Sequence, residues 1–126
     1  MSQQPTILIV DDDPDICSML EFYFENLEYE VLVARGGAAA MRIARESRPD
    51  VILLDIRLPD ADGFTVARTL RADRYTQHIP IIFLTGRNDP SERVEALEIG
   101  ADDFVAKPFD AQELRLRIER VLKRER

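Results

Sequence analysis

The stretch TILIVDDDPD, residues 6–15, runs apolar from Ile7 to Val10 and then places four acids, Asp11, Asp12, Asp13 and Asp15, around Pro14. Branched aliphatic residues in unbroken succession fit a strand covered on both faces, the kind that builds parallel sheets. The acids at its end repel one another, so their crowding calls for a metal ion, a helix start or a solvated surface. Asp13 before Pro14 has the form of an N-cap followed by proline at the first helical position. Asp15 then falls in the first turn, where the helix dipole favours an anion.

Working outward, four more apolar runs appear: Tyr29–Ala34, Val51–Leu54, Ile79–Leu84 and Phe104–Ala106. Amphipathic segments lie between them. From Pro14 onward, Ile16, Met19, Leu20, Tyr23, Phe24 and Leu27 recur at helical spacing. Gly36-Gly37 opens a second segment in which Ala39, Ile43 and Ala44 can face inward, and Val66, Ala67 and Leu70 mark a third. Val94 and Leu97 mark a fourth that ends at Gly100, a suitable C-cap, and Leu114, Ile118, Val121 and Leu122 mark a fifth. Such alternation implies an α/β fold, a parallel sheet with right-handed crossovers and helices on both faces.

The chain has 126 residues, 45% hydrophobic and 33% charged, which fits one globular domain over 1–126 with a core of its own. Its formal net charge of −7 argues against a nucleic-acid surface on this domain. No apolar run approaches the ~20 residues that span a bilayer, and MSQQPT lacks a signal pattern. The lone Cys17 excludes an internal disulfide and fits a reducing, cytoplasmic setting. The closing RVLKRER has no helix stop, so the last helix is expected to be able to lead into an output domain beyond residue 126.

Ligands of open α/β sheets bind outside the carboxyl ends of the strands. The residues that follow the runs are Asp11, Asp12 and Asp13 after the first, Asp55 after the third, Thr85 after the fourth and Lys107 after the fifth. Ionised carboxylates are tolerated together when a divalent cation neutralises them, and oxygen ligands suit Mg²⁺ or Mn²⁺. One Cys and one His exclude a zinc site. Lys107 adds a cation and Thr85 a hydroxyl, a set suited to a phosphoryl group on a carboxylate. Asp55 is the natural acceptor, because it ends the strand VILLD and the loop IRLPDADG is expected to leave it exposed.

ILIVDDD, DVILLDIRLPDADGF, IPIIFLTG and GADDFVAKPF, in this order, resemble the signature segments of bacterial two-component response-regulator receiver domains. The resemblance runs from about Ile7 to Leu122 and implies a flavodoxin-like (βα)5 sheet with strand order 2-1-3-4-5. It further implies that Asp55 accepts phosphate from a sensor histidine kinase or phosphotransfer protein. Asp12 would ligate Mg²⁺ directly, with Asp55 and the backbone carbonyl of Arg57, while Asp11 acts through water. Thr85 and Lys107 would bind phosphoryl oxygens, Phe104 would take the place of the switch aromatic, and a cis peptide would precede Pro108. Gly86 stands where the family usually has alanine, and Phe104 lacks the hydroxyl of the commoner tyrosine. Arg57 and Arg87, two residues past Asp55 and Thr85, flank the phosphoryl position and are expected to tune hydrolysis.

The signal would be read on the fourth helix, fifth strand and fifth helix. Members that dimerise pair this face, which implies phosphorylation-promoted homodimerisation through Arg93, Asp103, Glu113 and Arg117; the alternative is a solvated surface of local ion pairs. His78 reads as a surface residue and Cys17 as structural. Three other functions remain in competition. A magnesium-dependent phosphatase with an aspartyl nucleophile wants an acid two residues after it, where Arg57 stands. A flavin-binding protein wants a Gly/Ser/Thr-rich loop where three Asp residues stand. A phosphorylation-independent interaction module has no need of the Asp12, Asp55, Thr85 and Lys107 set.

Overall fold

Each apolar run forms a strand and each periodic segment a helix. The computed structural model describes residues 4–86 and 89–124. Its elements are β1 (Thr6–Val10), α1 (Pro14–Glu25), β2 (Glu30–Ala34), α2 (Gly37–Ser47), β3 (Val51–Asp55), α3 (Gly63–Ala72), β4 (Ile81–Thr85), α4 (Pro90–Ile99), β5 (Asp103–Ala106) and α5 (Ala111–Arg124). All neighbouring strands pair in parallel, in the order β2-β1-β3-β4-β5. This is the flavodoxin-like arrangement expected from the sequence.

Strand pleating divides the runs between two cores. Ile7, Ile9, Val51, Leu53, Ile82 and Leu84 pack against Leu20 and Phe24 of α1 and Leu114, Ile118 and Val121 of α5. Leu8, Val10, Ile52, Leu54, Ile81 and Phe83 pack on the opposite face with α2, α3 and α4. Every residue of β3 and β4 is buried, which is why these two runs carry no polar alternation until their last residues.

The helix starts follow local chemistry. Asp13 caps α1 by accepting the Asp15 N–H at 2.9 Å, with Pro14 in the first turn. Asp62 and Asp89 cap α3 and α4 in the same way. Gly100 ends α4 in the left-handed region, at φ 90°, where an L side chain is strained.

Two expectations need correction. The fourth strand begins at Ile81 rather than Ile79, since Pro80 brings no N–H to the ladder, although both residues are buried. In α4, Val94 and Leu97 are 55% and 75% exposed, and the buried residue is Ala96. The inward stripe of this helix is Glu92, Ala96 and Ile99, because a small residue lets the helix lie close to the sheet. In α2 the buried positions are Gly37, Ala40 and Ala44, with Ala39 and Ile43 half-buried beside them.

Candidate functional site

β3 ends at Asp55 and β4 at Thr85, and the two strands lie side by side with Asp55 in register with Leu84. β1 lies on the other side of β3 and delivers Asp11 one residue past its end. Beyond β5, the Lys107 N–H donates to the Thr85 carbonyl at 2.6 Å, and the Lys107-Pro108 peptide is cis. Four segments distant in sequence thus meet at one rim.

At this rim the Lys107 ammonium donates to Asp11 Oδ2 at 2.7 Å and to Asp55 Oδ2 at 3.2 Å. Asp11 is fully buried, and its Oδ1 accepts the Asp13 N–H at 2.9 Å. Asp55 Oδ1 accepts the Arg57 N–H at 3.1 Å. Asp12 remains exposed, yet Asp11, Asp12 and Asp55 each place a carboxylate oxygen within 4.8 Å of the others. Asp55 itself is only 6% exposed, not open as its loop suggested, because Lys107 and its neighbours close over it.

The electrostatics follow from this shortage of cations. Burial pushes the Asp55 carboxyl above its ordinary range, outweighing the Arg57 N–H and the Lys107 charge that favour ionisation. Burial alone would depress Lys107, but its hydrogen bonds and its attraction to Asp11 and Asp55 raise it instead. One ammonium serves two buried carboxylates, with a third beside them. Such a set fits a divalent oxygen-seeking cation, which would supply the missing positive charge.

Thr85 is fully buried, and its hydroxyl donates to Glu92 Oε1 of α4 at 3.2 Å. Glu92 Oε2 receives the Arg57 guanidinium at 2.7 Å. Sequence reading missed Glu92, although its place four before Ala96 and seven before Ile99 marks the inward stripe. Asp60 was missed as well: it accepts the Gly37 N–H at 2.7 Å and the Ala38 N–H at 3.2 Å, tying the β3–α3 loop to the start of α2.

The residues of the expected output face stand apart from the rim. Phe104 is half-buried, with the Arg93 guanidinium 5.3 Å from its ring centre. Arg117 binds both Asp103 oxygens, at 3.1 and 3.0 Å, and Glu113 at 2.9 Å within the same chain. Exposed Val94 and Leu97 of α4 and Leu116 of α5 add apolar surface to these helices. His78 is exposed, as expected, and buried Cys17 donates its thiol to the Asp11 carbonyl at 3.2 Å. Arg87 lies outside the described residues. Among the described residues, no helix is long and apolar enough to cross a membrane.

Comparison with known proteins places this geometry. Residues 7–119 match the family model of the response regulator receiver domain. The chain is 42% identical over 119 residues to the phosphate regulon transcriptional regulatory protein PhoB of Pseudomonas aeruginosa, covering 94% of this chain and 52% of that protein. It is 39% identical over 120 residues to the DNA-binding dual master transcriptional regulator RpaA of Synechocystis, covering 95% and 50%. The chain therefore spans about half the length of the curated relatives it matches. The receiver domain of a sensor histidine kinase from Pseudomonas aeruginosa, with a magnesium ion coordinated in its active-site cleft, superposes with a TM-score of 0.87. Identity to it is 35%, over 95% of this chain and 98% of that one.

Proposed function

The chain belongs to the response regulator receiver domain family of two-component systems, and from that premise we propose that phosphorylation of Asp55 is its switch. The observation that carries this reading is the contact of Lys107 with both Asp11 and Asp55, one cation among three gathered carboxylates. Asp55 attacks the phosphorus of a phosphohistidine on a sensor kinase or phosphotransfer protein, an O–P bond forms, and the P–N bond breaks. Lys107 and Thr85 hold phosphoryl oxygens, so that catalysis is mainly positioning and charge neutralisation. Mg²⁺, for which Mn²⁺ can substitute, would be held by Asp12, Asp55 and the Arg57 carbonyl. When bound it supplies neutralisation of oxygen charge. Asp11 is fully buried and is the nearer partner of Lys107, at 2.7 Å against 3.2 Å for Asp55, which supports a role through water rather than directly.

The domain catalyses only its own phosphorylation and dephosphorylation. As a single receiver unit over residues 1–126, it would act in the cytoplasm and leave DNA contact to an output domain. Phosphorylation adds about one to two negative charges at the rim, drawing Thr85 toward Asp55 and letting Phe104 move inward. For dimerisation, Arg117, Asp103 and Glu113 would exchange partners within the chain for partners across the interface, with Arg93 beside them. Exposed Val94, Leu97 and Leu116 supply apolar area for it. Sedimentation with beryllofluoride should give a dimer; a sample that stays monomeric at high concentration removes this part of the reading.

Labelling by acetyl phosphate tests the acceptor. Mg²⁺-dependent incorporation should occur in the wild type and vanish in Asp55→Asn. Incorporation that persists in the variant takes the role away from Asp55.

A further inference from the structure

Glu92 joins the two segments that flank Asp55 and has no part in the scheme above. It lies in the first turn of α4, where the helix dipole favours an anion, and its side chain is only 15% exposed. One oxygen accepts the Thr85 hydroxyl at 3.2 Å and the other the Arg57 guanidinium at 2.7 Å. We propose that Glu92 is a positioning residue that holds Thr85 in its resting place and competes with the phosphoryl group for the Thr85 hydroxyl.

A hydroxyl carries one proton. While Thr85 donates it to Glu92, it does not donate it to a phosphoryl oxygen. Moving Thr85 toward Asp55 therefore costs the bond to Glu92 and leaves that carboxylate with Arg57 as its counter-charge. Pairing with Arg57 fixes Glu92 in the orientation that receives Thr85, and it keeps the Arg57 guanidinium directed at α4. Glu92 thus sets how far the equilibrium between resting and switched forms leans toward rest. Its inward direction follows from the stripe it shares with Ala96 and Ile99.

This inference rests on Asp55 being the phosphoacceptor, and the test separates the two. Mg²⁺-dependent binding of beryllofluoride is measured for wild type, Glu92→Gln, Glu92→Ala, Thr85→Val and Glu92→Ala/Thr85→Val, each first shown to be folded. In parallel, the Thr85 methyl resonance is followed in the metal-free proteins. Glu92→Ala should bind beryllofluoride about 3–10-fold more tightly, the size of one hydrogen bond given up, and Glu92→Gln by less. The gain should disappear in the Thr85→Val background, and the Thr85 methyl should shift in metal-free Glu92→Ala. A wild type that takes no beryllofluoride overturns the phosphoacceptor reading, and with it the role of Glu92. Unchanged affinity in Glu92→Ala, an unmoved methyl, or an equal gain without the Thr85 hydroxyl overturns the role of Glu92 alone.

Discussion

At the amino end of the sheet, Asp102 Oδ2 receives the Ile81 N–H at 2.9 Å and Arg71 at 3.4 Å, with Arg124 3.8 Å from Oδ1. Arg71 also donates to the carbonyls of Ile79, Gln77 and Gly100, at 2.7, 3.2 and 3.2 Å. At the carboxyl end, Lys107 is shared between Asp11 and Asp55 while Asp12 faces solvent close by. Both ends bring charged groups from separate segments together. At the amino end cations and N–H groups match the acid, so the cluster works as a bracket between β4, β5, α3 and the end of α4. At the carboxyl end the acids outnumber the lysine that pairs with them, a set that fits a divalent oxygen-seeking cation.

That contrast can be broken by substitution. Arg71→Ala should have the largest effect, a loss of about 3 kcal/mol, because it takes a charged donor from three carbonyls and leaves the half-buried Asp102 with the Ile81 N–H and the more distant Arg124. Urea denaturation would measure it, and a variant as stable as wild type would deny the amino-end cluster its bracing role. Asp13→Ala should cost about 1 kcal/mol by removing the α1 cap while leaving Mg²⁺ affinity in place. Asp12→Ala should do the reverse, with metal affinity lost and stability little changed, so titration and melting of this pair sharpen the division within the acidic run.

Asp55→Asn should stabilise the metal-free protein, since burial makes the Asp55 charge costly. Asp102→Asn should destabilise it, and two melting shifts of the same sign would erase the contrast. The smallest effect belongs to Asp60, whose two helix N–H bonds hold its carboxyl below the ordinary range. A depressed folded value means that its contribution is present above the unfolded pKa, about 3.9, and is lost as pH falls through the folded value. The stability gap between wild type and Asp60→Asn should therefore be constant near neutrality and close below about pH 4; a gap independent of pH contradicts this.

Much of the site was legible because β3 and β4 are buried on both faces. Their first polar residues, Asp55 and Thr85, had to mark the strand ends, and Asp11 and Lys107 follow their own strands by one residue. Asp13 was legible too, since an acid before Pro14 describes a helix start by local chemistry alone. The inward face of α4 was not. Counting apolar residues selected Val94 and Leu97, whereas a helix lying close to the sheet presents a small residue, Ala96, and lets Glu92 reach inward. The bracing place of Asp102 was not legible, because its partners, Arg71 and the Ile81 N–H, lie 31 and 21 positions away.

The sequence by itself determined the alternation of strands and helices, the two-sided burial of the central strands, the helix caps and the group of residues delivered to one rim. These follow from periodicity and from interactions within a few residues. Tertiary structure alone decided who holds whom: that Lys107 divides itself between Asp11 and Asp55, that Asp60 secures α2, and that Glu92 joins Arg57 to Thr85. Those partners meet only through strand order and helix packing, and a side chain's direction on a helix is set by what the rest of the chain leaves for it to fill.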